Sequence, residues 1–140
     1  MKVRELMTTS LLTLNEHDSM QHARQLMKQH RIRHLPVIDD DSRFIGLLTL
    51  RDLLSATVSR LAEIDAGEIE SFEATVQVGD VMNVEIIAVD AETDLREAAL
   101  CLIEHKFGCL PVLRDGYLIG ILTESDFVRL VADMLEQEEA

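Results

Sequence analysis

Apolar and polar positions fall into two similar series along this chain. The first opens with the short apolar run Leu11-Leu12-Thr13-Leu14, followed by Met20, Ala23, Leu26 and Met27 at helical spacing. Leu35-Pro36-Val37-Ile38 and Ile45-Gly46-Leu47-Leu48-Thr49 are then continuous apolar runs of strand length, and a second helical pattern continues through Leu61. The second series answers element by element. Ile86-Ile87-Ala88-Val89 is an apolar run; Leu95, Ala98, Ala99, Leu102 and Ile103 keep helical spacing; Leu110-Pro111-Val112-Leu113 and Ile119-Gly120-Ile121-Leu122-Thr123 read as strands. Phe127, Val128, Leu130 and Val131 open the last helix. Each series therefore predicts strand, helix, strand, strand, helix.

The two series are an internal repeat. They match at a spacing of 75 residues, as from Val3 to Val78 and Met7 to Met82, falling to 74 from Ile45 to Ile119. The slip falls in the connection between the two long strands, where an extra residue costs little. That connection is Asp39-Asp40-Asp41-Ser42-Arg43 in the first copy and the strong hairpin signal Asp115-Gly116 in the second. Asp18, with Gln21 three residues on, resembles a capping box at the start of the first helix. Residues 1–54 form the first repeat and 78–140 the second, with an acidic, fraying C-terminal tail at 136–140. Residues 55–77 connect them as a helical and loop segment. There the turn-like composition of Ala66-Gly67-Glu68-Ile69-Glu70 reads as a connector that loosens after Leu61.

Both copies end in one pattern: Gly46, Thr49 and Asp52, then Gly120, Thr123 and Asp126. At the junction of a strand and a helix, a Thr hydroxyl can accept from unpaired first-turn N–H groups, and an Asp suits the positive helix end. The same groups could hold a phosphate or a sugar.

Composition narrows the partners. A net charge of −13 argues against a nucleic-acid or anionic-membrane surface. The exception is a basic island of His22, Arg24, Lys28, His30, Arg31, Arg33 and His34, suited to a small anion. No run reaches the length of a membrane span and no leader follows Met1, so a cytoplasmic location is expected. Cys101 and Cys109 read as small core residues, and Met7, Met20, Met27, Met82 and Met134 as fillers of core gaps. His17, His22, His30 and His105 lack metal-ligand spacing, so no metal site is expected.

On the paired Met7/Met82, the two Leu-Pro-Val strands and the two Gly-x-x-Thr-x-x-Asp stretches, the chain resembles a tandem pair of cystathionine-β-synthase (CBS) domains, a regulatory nucleotide-binding module. The resemblance covers essentially the whole chain. It implies an α+β fold in which two βαββα repeats pack through their sheets about a pseudo-twofold axis, with two clefts. It also implies how each cleft is lined. One would combine Thr123, Ser125 and Asp126 with Leu12, Thr13, Ile32, Arg33 and His34; the other would combine Thr49, Arg51 and Asp52 with Ile87, Ala88, Phe107, Gly108 and Cys109. An Asp carboxylate can accept from both ribose hydroxyls, and cations suit the phosphate. Because Arg33 and His34 bring cations to it, the Asp126 cleft is the favoured one.

The expected function is a sensor of an adenine nucleotide or adenosyl compound, of the AMP, ADP, ATP or S-adenosylmethionine class, that changes conformation or assembly. The nucleotide is then a regulatory ligand and there is no catalytic cofactor. The alternative is a ligand-free dimerisation or interaction module acting on a partner protein. Catalysis is not expected, since no nucleophile–base arrangement or Walker-type loop occurs. A homodimer is expected through Leu53, Leu54, Val58, Leu61, Phe127, Val128, Leu130, Val131 and Leu135, with an effector protein reached in trans.

Overall fold

The computed structural model describes residues 1–61, 66–106 and 108–139, the side chains of residues 59–61, 66, 67 and 70 lying outside that description. The chain alternates strands β1 (Leu14–Asn15), β2 (His34–Ile38), β3 (Phe44–Thr49), β4 (Cys109–Arg114) and β5 (Tyr117–Thr123) with helices. These are α1 (Met20–His30), α2 (Leu50–Leu61), α3 (Ala66–Thr75), α4 (Leu95–Glu104) and α5 (Glu124–Glu139). The fold class is α+β, as the repeat implied.

Two compact units form, and their boundaries cut through both repeats. One unit contains residues Met1–Leu11 and Ile87–Ala140; the other contains Leu12–Ile86. The leading segment of each repeat is therefore docked on the body of the other. Val3 N–H donates to Thr93 O (2.9 Å) and Arg4 N–H to Ala91 O (2.9 Å). In the other unit the equivalent bonds are Val78 N–H to Asp18 O (2.7 Å) and Gly79 N–H to Glu16 O (2.8 Å). Further along, Thr8 exchanges backbone bonds with Ile121 (2.8 and 3.0 Å), and Asn83 does the same with Leu47 (2.9 and 2.8 Å).

This exchange changes the expected first strands. The run at 11–14 contributes only Leu14 to a strand, which with Asn15 runs parallel to Val37 and Ile38. The run at 86–89 contributes a single bridge from Val89 to Val112. The physical reason is that the chain passes from one unit to the other inside both runs, between Leu11 and Leu12 and between Ile86 and Ile87. Backbone in transit cannot also lie along a sheet edge. The sheets are three-stranded, in the order β1-β2-β3, and two-stranded, β4-β5.

The signature Met and Gly residues form packing pairs. A Cβ on Gly46 would come within 2.7 Å of Met82 Sδ, and one on Gly120 within 2.6 Å of Met7 Sδ. Absence of a side chain lets each Met lie flat on the strand of the opposite repeat, closing the exchange. The hairpin reading of Asp115-Gly116 agrees with the structure, where both residues have positive φ (52° and 85°) as a tight I′-type turn requires.

Two local expectations are corrected. Ser19, not Asp18, caps α1, its side chain accepting from His22 N–H (3.1 Å); Asp18 instead accepts from Asn15 N–H (2.8 Å) and holds the preceding turn. The turn-like composition at 66–70 is overruled, because α3 runs through it. The helix is fixed by tertiary contacts that local composition does not show. Phe72 packs against the core containing Leu14, Met20, Leu35 and Leu53. Glu73 is buried at 7% exposure and accepts from Arg24 Nε and Nη2 (3.0 and 2.7 Å). Thr57 of α2 lies against both partners, at 3.2 Å from Arg24 Nη2 and 3.1 Å from Glu73 Oε1.

This cluster ties α1, α2 and α3 together. Glu73→Ala leaves Arg24 and Thr57 facing a hole, and should cost about 3 kcal/mol, at the low end for buried pairs because Arg24 reaches solvent. Urea denaturation reads this directly, and the double change Arg24→Met with Glu73→Leu should recover most of the loss.

Candidate functional site: the two Thr-x-x-Asp junctions

Each unit carries one strand–helix junction built on Thr-x-x-Asp, and the two differ. In the unit of residues 12–86, β3 ends at Thr49 and α2 follows at once. Thr49 N–H donates to Asp52 Oδ2 (2.9 Å), and Asp52 N–H donates to Thr49 Oγ1 (3.2 Å). This is the reciprocal cap that the sequence suggests. It uses one carboxylate oxygen. Among the described residues, nothing donates to Asp52 Oδ1, and the residue is half-buried.

In the other unit β5 ends at Thr123 and α5 follows. Thr123 N–H and Oγ1 both donate to Asp126 Oδ2 (2.8 and 3.2 Å). Oδ1 is taken as well. Thr8 Oγ1 donates to it at 3.2 Å and Arg129 Nη2 at 2.6 Å. Asp126 is only 4% exposed, so its carboxylate is enclosed and fully engaged by the protein.

The residues expected around these motifs group by unit. Leu12, Thr13, Ile32, Arg33 and His34 belong with Thr49, Arg51 and Asp52; Ile87, Ala88, Gly108 and Cys109 belong with Thr123, Ser125 and Asp126. Phe107 lies outside the described residues. The structure thus brings Arg33 and His34 to the Asp52 junction. His34 pairs with Thr49 across the sheet, and Leu50 N–H donates to Arg33 O (2.9 Å). Arg33 and Arg51 are both exposed.

At the Asp126 junction the corresponding place is taken by Gly108, whose O accepts from Glu124 N–H (3.3 Å), and by Cys109, paired with Thr123. Cys109 is buried, and desolvation pushes its thiol up to about 12, so it behaves as a core residue rather than as a polar ligand group. Two residues that sequence reasoning missed complete the Asp126 cluster: Thr8 and Arg129. Arg129 carried a signal, since it stands three residues after Asp126 on a helix. Thr8 carried none, because its approach depends on the exchange of leading segments.

The profile of the CBS domain matches this chain twice, at residues 3–59 and 78–133. The chain belongs to the CBS domain family. It is a tandem CBS pair of α+β fold. It resembles the Vibrio cholerae protein AcuB, with a TM-score of 0.86, 33% identity, and 100% of this chain and 98% of that one covered. It also resembles CBSX2 solved in complex with AMP, with a TM-score of 0.79, 32% identity, and 95% and 97% covered. Hypoxic response protein 1 of Mycobacterium tuberculosis is 31% identical over 90% of this chain and 82% of its own. An uncharacterized protein of Methanocaldococcus jannaschii is 32% identical over 95% of this chain, which spans only 32% of that longer protein. Among the described residues, no helix is long and apolar enough to cross a membrane, and no group of three or more acidic, His or Cys side chains could hold a metal.

The contrast in hydrogen bonding predicts different structural costs at the two motifs. Asp52→Ala loses one cap and should cost about 1 kcal/mol. Asp126→Ala leaves the half-buried donors of Thr123 and Thr8 without their acceptor, removes the Arg129 ion pair, and should cost about 2–4 kcal/mol. Chemical denaturation of the two variants, side by side, checks the order.

Proposed function

We propose that this CBS pair is a regulatory sensor of an adenine nucleotide or related adenosyl ligand, and that the Asp52 junction provides its principal contacts. The observation that carries this reading is the open Oδ1 of Asp52 beside two exposed cations, Arg33 and Arg51. Asp52 accepts from ribose hydroxyls, while Thr49 and the start of α2 face the phosphate end together with Arg33 and Arg51. Ile32 and His34 continue the wall beside Arg33. CBSX2, which is 32% identical to this chain, was solved with AMP, and that supports this ligand class. The module acts by binding rather than by catalysis, and signals through its conformation or assembly to an effector protein.

The choice of Asp52 reverses the preference drawn from sequence. Two physical facts favour the change: Arg33 sits beside Thr49, and the Asp126 carboxylate already has donors on both oxygens. Asp52→Ala should therefore weaken AMP binding by roughly 30- to 1000-fold, the equivalent of about 2–4 kcal/mol. Arg33→Ala should weaken AMP far more than adenosine, and the difference should shrink as salt rises because the contact is exposed. Isothermal calorimetry with both ligands decides these points. Equal loss of AMP and adenosine on Arg33→Ala would refute its phosphate role.

A homodimer is the second part of the proposal, favoured by an apolar groove on α4 and α5. The groove, about 320 Å³, is lined by Ala99, Leu102, Ile103, Glu124, Phe127 and Val128. Beyond it, Val131, Met134 and Leu135 remain exposed on α5. Of the residues assigned to this face by sequence, Leu53 is fully buried, while Phe127 and Leu130 are half-buried and also pack on the core around Leu110 and Leu122. The side chain of Leu61 lies outside the described residues. Sedimentation should give twice the chain mass of 15.8 kDa, and Val131→Glu should shift the protein toward the monomer.

A further inference from the structure

The two Thr-x-x-Asp motifs share one pattern, yet among the described residues only one of them is saturated from within. The difference traces to two positions. Thr8 corresponds to Asn83 in the repeat, and Arg129 corresponds to Ser55. Thr8 and Asn83 make equivalent backbone bridges, to Ile121 and Leu47. Only Thr8 reaches the motif carboxylate with its side chain, at 3.2 Å from Asp126 Oδ1. Arg129, three residues along α5, adds the second donor at 2.6 Å, and its own side chain remains 67% exposed. Ser55, three residues along α2 from Asp52, brings no cation to Asp52.

We infer that Arg129 and Thr8 hold an autoinhibitory contact, in which the chain's own donors occupy the Asp126 carboxylate and close the second motif to sugar hydroxyls. A ribose presents two neutral hydroxyl donors. It would have to displace a charge-assisted bond from Arg129 and a hydroxyl already in place, on a carboxylate with almost no exposure. Asp52 carries no such cost.

The contact also has a mechanical consequence. Thr8 belongs to the leading segment, fastened to β5 through its two backbone bonds with Ile121. Opening Asp126 therefore loosens the anchorage of residues 1–11, so occupation of the second motif is coupled to release of that segment. Ligand loading is thereby made unequal, with one motif available and one latent. This inference rests on the proposed nucleotide reading, but closure of the carboxylate can be measured without any nucleotide.

Carboxyl footprinting provides that measurement. The folded protein is treated with a water-soluble carbodiimide and glycinamide, and labelling rates at Asp52 and Asp126 are read by mass spectrometry. Asp52 should label at least about tenfold faster than Asp126, as expected when one group is open and the other needs local opening. Arg129→Gln and Thr8→Val should each speed labelling at Asp126 and leave Asp52 unchanged. Ser55→Arg, which installs the missing cation in the first repeat, should slow Asp52. Circular dichroism confirms that each variant is folded, and Ser55→Arg keeps the test available if an Arg129 variant is not. Comparable rates at the two Asp residues in the unaltered chain overturn the inference, as does an unchanged Asp126 rate in folded Arg129→Gln.

Calorimetry with AMP is the second arm. Asp52→Ala should weaken binding by the roughly 30- to 1000-fold given above, and Asp52→Ala combined with Arg129→Gln should restore part of it. AMP binding that depends on Asp126 but not on Asp52 overturns the closure. Absence of AMP binding in the unaltered chain defeats the nucleotide reading alone, and the footprinting result then decides the closure by itself.

Discussion

Reciprocal docking of the two leading segments is the constraint on which the rest of the structure depends. Each segment leaves its own repeat, bonds through Thr8 or Asn83 to the last strand of the other, and lays a Met on a strand glycine. Neither body is complete alone. Val3 is fully buried in the core that contains Leu95, Ala98 and Leu110, and Val78 is buried in the one that contains Leu14, Met20 and Leu35. Small α+β bodies of this size bury too little surface by themselves, and the exchanged segment supplies apolar contact that local sequence could not. The Gly of Gly-x-x-Thr-x-x-Asp is explained by this packing, while the Thr and Asp are explained by the helix start.

The same docking makes the motifs diverge. Because Thr8 arrives beside β5, a hydroxyl at that position can reach the carboxylate of Asp126. In the other unit the amide-bearing Asn83 makes the same backbone bridge, and its side chain leaves Asp52 Oδ1 alone. Arg129 then adds an ion pair to the shared cap, reaching a buried carboxylate from an exposed position. The fold tolerates both versions, since each satisfies the backbone N–H of its Thr through one carboxylate oxygen. What differs is the chemistry left over for a ligand. The repeat supplies two similar junctions, and the residues at two positions, Thr8 and Arg129, give the second a different set of hydrogen bonds.

Helix α3 shows how a polar cluster can override composition. Gly67 and the acidic residues around it argue against a stable helix, and its helical periodicity is weak. Glu73 nevertheless engages Arg24 and Thr57 on two other helices, so the segment is held by partners 49 and 16 residues away in sequence. Part of the basic island around α1 is thus committed to structure. Arg24 is internal to the cluster, whereas Arg33 is exposed and stands beside Thr49.

The sequence by itself determined the repeat, the α+β class, the order of the long strands and helices, the hairpin at Asp115-Gly116 and the family. All of these follow from local periodicity, turn chemistry and the spacing of a few Gly, Pro, Thr and Asp residues, which survive in one dimension. Only the tertiary structure decided which residues meet. It moved the leading segments to opposite bodies, cut the first strands to a pair of residues and a single bridge, and buried Leu53. It also set His34 opposite Thr49 within one unit and filled Asp126 with Thr8 and Arg129. The reason is that pairing register and segment exchange join residues from distant parts of the chain. Hydrophobic patterning says which faces must be buried, but not which copy's backbone will cover them.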